Sequence, residues 1–103
     1  MQFVQSNHDL ENLCLKLAKE EFVCVDLEFM RQHTYFAKLC LIQIASQNDE
    51  AIIDPLVEDI NLQLFFDLMQ NQKVIKVFHS ARQDIEIIYN LSSNGNFERW
   101  NYT

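Results

Sequence analysis

Three short apolar runs follow one another between residues 22 and 53 with no helical pattern between them, and this constrains the fold most. They are Phe22-Val23-Cys24-Val25 continuing to Glu28, then Leu39 to Ala45, then Ala51-Ile52-Ile53. Each is short and rich in β-branched or aromatic residues, so each reads as a strand. The polar, aromatic-rich connection Phe29 to Ala37 and the turn Ser46-Gln47-Asn48-Asp49 are too brief for a helical crossover. The three runs therefore predict an antiparallel meander, stopped by Asp54-Pro55. One Gly and one Pro in 103 residues leave little material for long loops, which suits regular elements joined tightly.

Helices flank this meander. After a short edge strand at Phe3-Val4, Ser6 or Asn7 caps a helix whose Leu10, Leu13, Cys14 and Leu17 fall on one face. Leu62, Phe65, Phe66 and Met69 mark a second, with Asn61 as its cap. That helix is a crossover, so the next apolar run, Val74 to Phe78, is expected parallel to the first strand. A third helix starts at Ser80, where Ser80-Ala81-Arg82-Gln83 matches a capping box, and runs to about Leu91. Beyond it the chain is turn-like and aperiodic. The expected organisation is an α/β domain over residues 1–91, with a mixed sheet and flanking helices, and a tail over 92–103.

Composition narrows the function classes. An apolar content of 49% indicates a globular chain rather than a disordered one. Cys14, Cys24 and Cys40 are odd in number and lack a C-x-x-C spacing, so they read as buried reduced thiols of a cytoplasmic protein. No apolar stretch reaches membrane-spanning length, and no membrane partner is expected. The net charge of -7 argues against a generic nucleic-acid binder unless part of it serves a metal. Arg31, Lys38 and Arg82 lie close in sequence to the acids that would do so.

Those acids are Asp26 and Glu28, two residues apart at the end of the first long strand. On a strand they share a face, roughly 7 Å apart. Paired carboxylates at a sheet edge are costly unless neutralised, and Mg²⁺ or Mn²⁺ favours such hard oxygens. The bland alternative is a strand end whose acids are simply solvated. Asp84, in the first turn of the third helix, follows a strand parallel to theirs and is placed at the same sheet edge. Taken alone, it is an ordinary acid at a helix start.

Two stretches carry a family resemblance. Val25-Asp26-Leu27-Glu28-Phe29-Met30-Arg31 with Thr34 to Ile44 resembles the first exonuclease motif of ribonuclease D, and Lys76-Val77-Phe78-His79-Ser80-Ala81-Arg82-Gln83-Asp84-Ile85-Glu86 resembles its second. Ile53-Asp54-Pro55-Leu56 falls where that family has a similar segment. The resemblance covers about residues 1–91. It implies a ribonuclease-H-like fold and a DEDD-type 3′→5′ exoribonuclease acting on RNA 3′ ends, tRNA precursors among them. It also implies two divalent metals, Mg²⁺ or Mn²⁺, held by four acids. Carried over by position, Asp26 would bridge both metals, Glu28 would hold the one beside the attacking water, and Asp84 the other. Phe29 and Met30 would lie against the terminal nucleotide, although core packing is the plain alternative for both. His79 would support Asp84 and its loop. Arg31 and Arg82 would help place phosphates, against a default of surface charge.

The resemblance is incomplete. The family's third motif, Tyr-x-x-x-Asp, has no match, since Tyr102 is not followed by an Asp before Thr103. The expectation is a C-terminally truncated domain, a truncated or frame-shifted gene or a fragment, with low exonuclease activity alone. Self-association through the exposed edge of the Val74 to Phe78 strand is expected with it. The alternatives are a non-catalytic nucleic-acid-binding or interaction module, and a decayed gene fragment.

Overall fold

The computed structural model describes the backbone of residues 1–31 and 37–78, and the side chains of 1–30 and 38–78. Within them the order is β1 (Gln2–Val4), α1 (Asn7–Leu17), β2 (Phe22–Arg31), β3 (Ala37–Ala45), β4 (Glu50–Ile53), α2 (Gln63–Gln70) and β5 (Ile75–Phe78). The five strands form one sheet in the order β1-β4-β3-β2-β5. β2, β3 and β4 make the antiparallel meander, while β1 joins β4 and β5 joins β2 in parallel. The third helix predicted from Ser80 lies outside the described residues.

Both helices pack on one face of the sheet, where their apolar stripes meet those of the strands. Leu10, Leu13 and Leu17 of α1 and Phe65, Phe66, Leu68 and Met69 of α2 are buried. They share one core with Val23, Val25 and Leu27 of β2 and with Ile42, Ile44 and Ile53. Ser6 caps α1, its Oγ accepting from the Asp9 N–H at 3.2 Å. At the start of α2 the structure departs from the expected Asn61 cap. Leu62 is the N-cap and makes no side-chain bond. Asn61 Oδ1 instead accepts from the Gln63 N–H at 3.1 Å, turning the chain one residue earlier.

Asn7 fastens α1 to this turn. Its Nδ2 donates to the Asp59 carbonyl at 2.9 Å, and its Oδ1 accepts from the Asn61 N–H at 2.6 Å. Asp59 has φ 65°, in the left-handed region where a short polar side chain is tolerated.

β2 runs three residues past the expected end at Glu28, and a register shift at Glu28/Phe29 explains how. Glu28 pairs with Leu41 but Phe29 pairs with Leu39, so Cys40 is the extra residue of a bulge on β3. The bulge shifts the alternation of β3 by one residue, so that Leu39 before it and Ile42 and Ile44 after it all face the same core. β2 keeps its alternation through the same stretch, so its acids stay in phase.

Candidate active site

Alternation along β2 sorts its side chains. Val23, Val25 and Leu27 face the helices and are buried, whereas Cys24, Asp26, Glu28 and Met30 occupy the opposite, exposed face. Asp26 and Glu28 thus share a face, as two residues i and i+2 on a strand must. Asp26 lies opposite Gln43 in the antiparallel ladder and Glu28 opposite Leu41. Among the described residues neither carboxylate has a salt-bridge partner or a side-chain hydrogen bond, and the ion pair present, Lys16 with Asp49, lies elsewhere. Both keep their oxygens free for a hard cation on this side of the sheet.

Beside Asp26 the open face sinks into a cleft of about 530 Å³, lined by Cys24, Asp26, Gln43, Ala45, Glu50 and Val77 among others. Val77 belongs to β5, whose last residue, Phe78, pairs with Val25. The parallel neighbour therefore ends level with the approach to Asp26, and the chain leaves it toward the segment that carries His79, Arg82 and Asp84. Those three residues lie outside the described residues, as does the side chain of Arg31. No group of three His, Cys, Asp or Glu side chains is assembled among the described residues.

The two residues expected near a nucleotide separate. Phe29 is half-buried and packs against the core, while Met30 is exposed on the acid face. Lys38 is exposed as well. The cysteines differ from the expected buried set: Cys24 is exposed, and Cys14 and Cys40 are half-buried. For Cys24 the reason is that an apolar run reads as covered on both faces, whereas the described helices cover only one.

Sequence reasoning passed over Gln43, Cys24 and Val77 as neighbours of Asp26. A signal for Gln43 exists in the hairpin: aligning the burial phases of β2 and β3 sets it opposite Asp26. It also passed over Lys76, which is buried on β5. Its place in phase with the buried Val74 and Phe78, two residues to either side, is the signal in the sequence.

Comparison with known proteins gives a consistent outcome. The family model of a 3′-5′ exonuclease matches residues 1–97. A ribonuclease D of Bartonella henselae is 50% identical over 91 residues, 88% of this chain and 22% of that protein. Among solved structures, RNase D of Escherichia coli, an exoribonuclease involved in structured RNA processing, aligns with TM-score 0.80 at 27% identity. That alignment covers 89% of this chain and 24% of the other. The catalytic core of RRP6 from Trypanosoma brucei aligns with TM-score 0.77 at 33% identity, covering 84% and 24%. The chain spans about a fifth of the length of the curated relatives it matches. Its mixed sheet with two helices on one face is the ribonuclease-H-like arrangement.

Proposed function

Because the chain belongs to the 3′-5′ exonuclease family, we propose that it carries part of a metal-dependent exoribonuclease site that removes nucleotides from RNA 3′ ends. The observation that supports this reading best is the placement of Asp26 and Glu28 together on the open face of β2, beside a cleft and level with the end of β5. RNA as the substrate class rests on the kinship to ribonuclease D. Structured RNAs such as tRNA precursors are the proposed targets.

Asp26 and Glu28 would hold a divalent ion, Mg²⁺ or Mn²⁺, with Asp84 as a third ligand. Two exposed carboxylates on one face, with no ion-pair partner among the described residues, suit such an ion. When bound, it would acidify water and offset the charge developing on a phosphodiester. The chain's own residues then divide the remaining work. Met30, exposed on the acid face, would lie against the terminal nucleotide, with Phe29 beneath it as part of the core. Arg31 and Arg82 would contact phosphates, and His79 would support the segment bearing Asp84. Residues 1–91 form the exonuclease-like unit of this reading and 92–103 a tail. Three free thiols fit a reducing, cytoplasmic setting. β5 ends the sheet among the described residues and offers an edge through which copies would associate.

The test uses 5′-labelled RNA with Mg²⁺ or Mn²⁺. A ladder shortened from the 3′ end, lost with EDTA and with Asp26→Asn, is expected of the nuclease reading. Salt-sensitive RNA binding that is indifferent to EDTA and to Asp26→Asn would instead show a non-catalytic binding module.

A further inference from the structure

The bulge at Cys40 decides which face of the sheet receives Lys38. On one side of it Asp26 lies opposite Gln43 and Glu28 opposite Leu41. Continued without a break, that register would set Leu39 opposite Met30 on the open face and Lys38 opposite Arg31. With the surplus residue, Leu39 pairs with Phe29 and Lys38 with Met30. Leu39 is therefore buried in the core, and Lys38 is exposed beside Met30 on the face of Asp26 and Glu28. Cys40 closes the bulge, its S–H donating to the Lys38 carbonyl at 3.2 Å. Bulges next to active sites re-aim side chains in this way. Burial of Leu39 stabilises the shifted register, and what stands beside the acids as a result is a cation.

The other described lysine side chains lie elsewhere. Lys16 belongs to α1 and pairs with Asp49, Lys19 follows that helix, Lys73 lies between α2 and β5, and Lys76 is buried. Lys38 is thus the cation that the described side chains bring to the open face. There the Met30–Lys38 pair directly follows the Glu28–Leu41 pair, which makes Glu28 and Lys38 diagonal neighbours. Such neighbours lie roughly 7–8 Å apart, within reach of a long side chain. Yet no ion pair forms between them. An ammonium and two carboxylates stand side by side without engaging one another. A ligand that suits both must bring an anion to the lysine and a cation to the acids. A phosphodiester accompanied by a divalent ion does both, and a lysine meets phosphate oxygens as a compact point charge.

We propose that Lys38, set on the acid face by the β3 bulge, binds a backbone phosphate of the RNA strand beside Glu28. This rests on the reading above in which the face of Asp26 and Glu28 receives RNA. The contact fixes the position of the strand and reads no base. It also answers the net charge of -7, because it places a positive group where the strand must approach two carboxylates.

The full chain is titrated, with Mn²⁺ present, into a 5′-fluorescent oligouridylate whose phosphorothioate linkages slow hydrolysis and keep the charge of each phosphate. Fluorescence anisotropy gives the affinity as KCl is raised. Lys38→Gln is expected to weaken binding about two- to fivefold, the range of an exposed ion pair. It should also reduce the slope of log affinity against log salt by about 0.7, the loss of one phosphate contact on a single strand. Lys38→Arg should restore both. Lys19→Gln, which removes the same charge from the helix side, should leave the slope as it is in the parent chain. An unchanged slope and affinity in Lys38→Gln would overturn the proposal while leaving the RNA reading in place. Equal losses in Lys19→Gln and Lys38→Gln would also overturn it, because they would show a diffuse field of the whole molecule. If the parent chain does not bind the probe at all, the RNA reading fails and the proposal falls with it.

Discussion

The two faces of β2 differ more than any two elements of the molecule. One presents Val23, Val25 and Leu27 to a core sealed by α1 and α2; the other presents Cys24, Asp26, Glu28 and Met30 to the open side. The same strand, read at odd and even positions, separates its core-forming side chains from its carboxylates. Burial stabilises through apolar area removed from water, whereas carboxylates need water or a cation nearby. A two-residue period lets a single strand satisfy both demands, and a change on one face should leave the other largely intact.

The most severe way to test that separation is at the core. Phe65→Ala, at a fully buried ring of α2, is expected to cost about 3–5 kcal/mol in urea unfolding. At the helix-loop contact, Asn7→Ala removes both hydrogen bonds to the Asp59–Asn61 turn and is expected to cost about 1–2 kcal/mol by the same measurement.

A smaller net effect is expected in alkaline solution, because two groups on the covered side oppose one another. Lys76 loses its proton near pH 8 when folded but near its ordinary 10.5 when unfolded. Between those values the unfolded state binds more protons, so its contribution to stability rises with pH. The Cys14 thiol is pushed from 9.0 up to about 11 by burial and then by Asp67. There the folded state keeps the proton longer, so stability falls as pH rises past 9. Urea midpoints at pH 8, 9 and 10 should therefore rise first and then flatten. Cys14→Ala should leave the rise unopposed, and Lys76→Met should leave only the fall. Identical profiles in all three chains would show that neither group is linked to folding.

The smallest effect is expected on the open face. Asp26→Asn should shift stability by no more than about 0.5 kcal/mol, as surface changes do. A loss comparable to that of Phe65→Ala would show that the two faces are not independent.

The sequence made the meander and the parallel return of β5 legible because their signals are local: short β-branched runs, tight turns and one amphipathic crossover. It also made the shared face of Asp26 and Glu28 legible, since that needs only the period of a strand. The bulge at Cys40 was not legible, because one surplus residue in β3 shows itself only against its partner strand. The exposure of Cys24 and Phe22 was not legible for a related reason. An apolar run states that a strand is hydrophobic, not how many of its faces are covered. Asn61 looked like a helix cap by residue type, yet the backbone turns once more before α2 begins.

The three thiols also give the molecule an optical address. Cys24 is exposed beside Asp26, whereas burial keeps Cys14 protonated to about pH 11 and Cys40 donates its S–H to the Lys38 carbonyl at 3.2 Å. At neutral pH a maleimide dye therefore meets its most accessible sulfur on the acid face. A fluorophore anchored there sits within quenching range of any paramagnetic ion the two carboxylates collect. The natural sequence thus brings its own reporter to the site, with no cysteine to engineer.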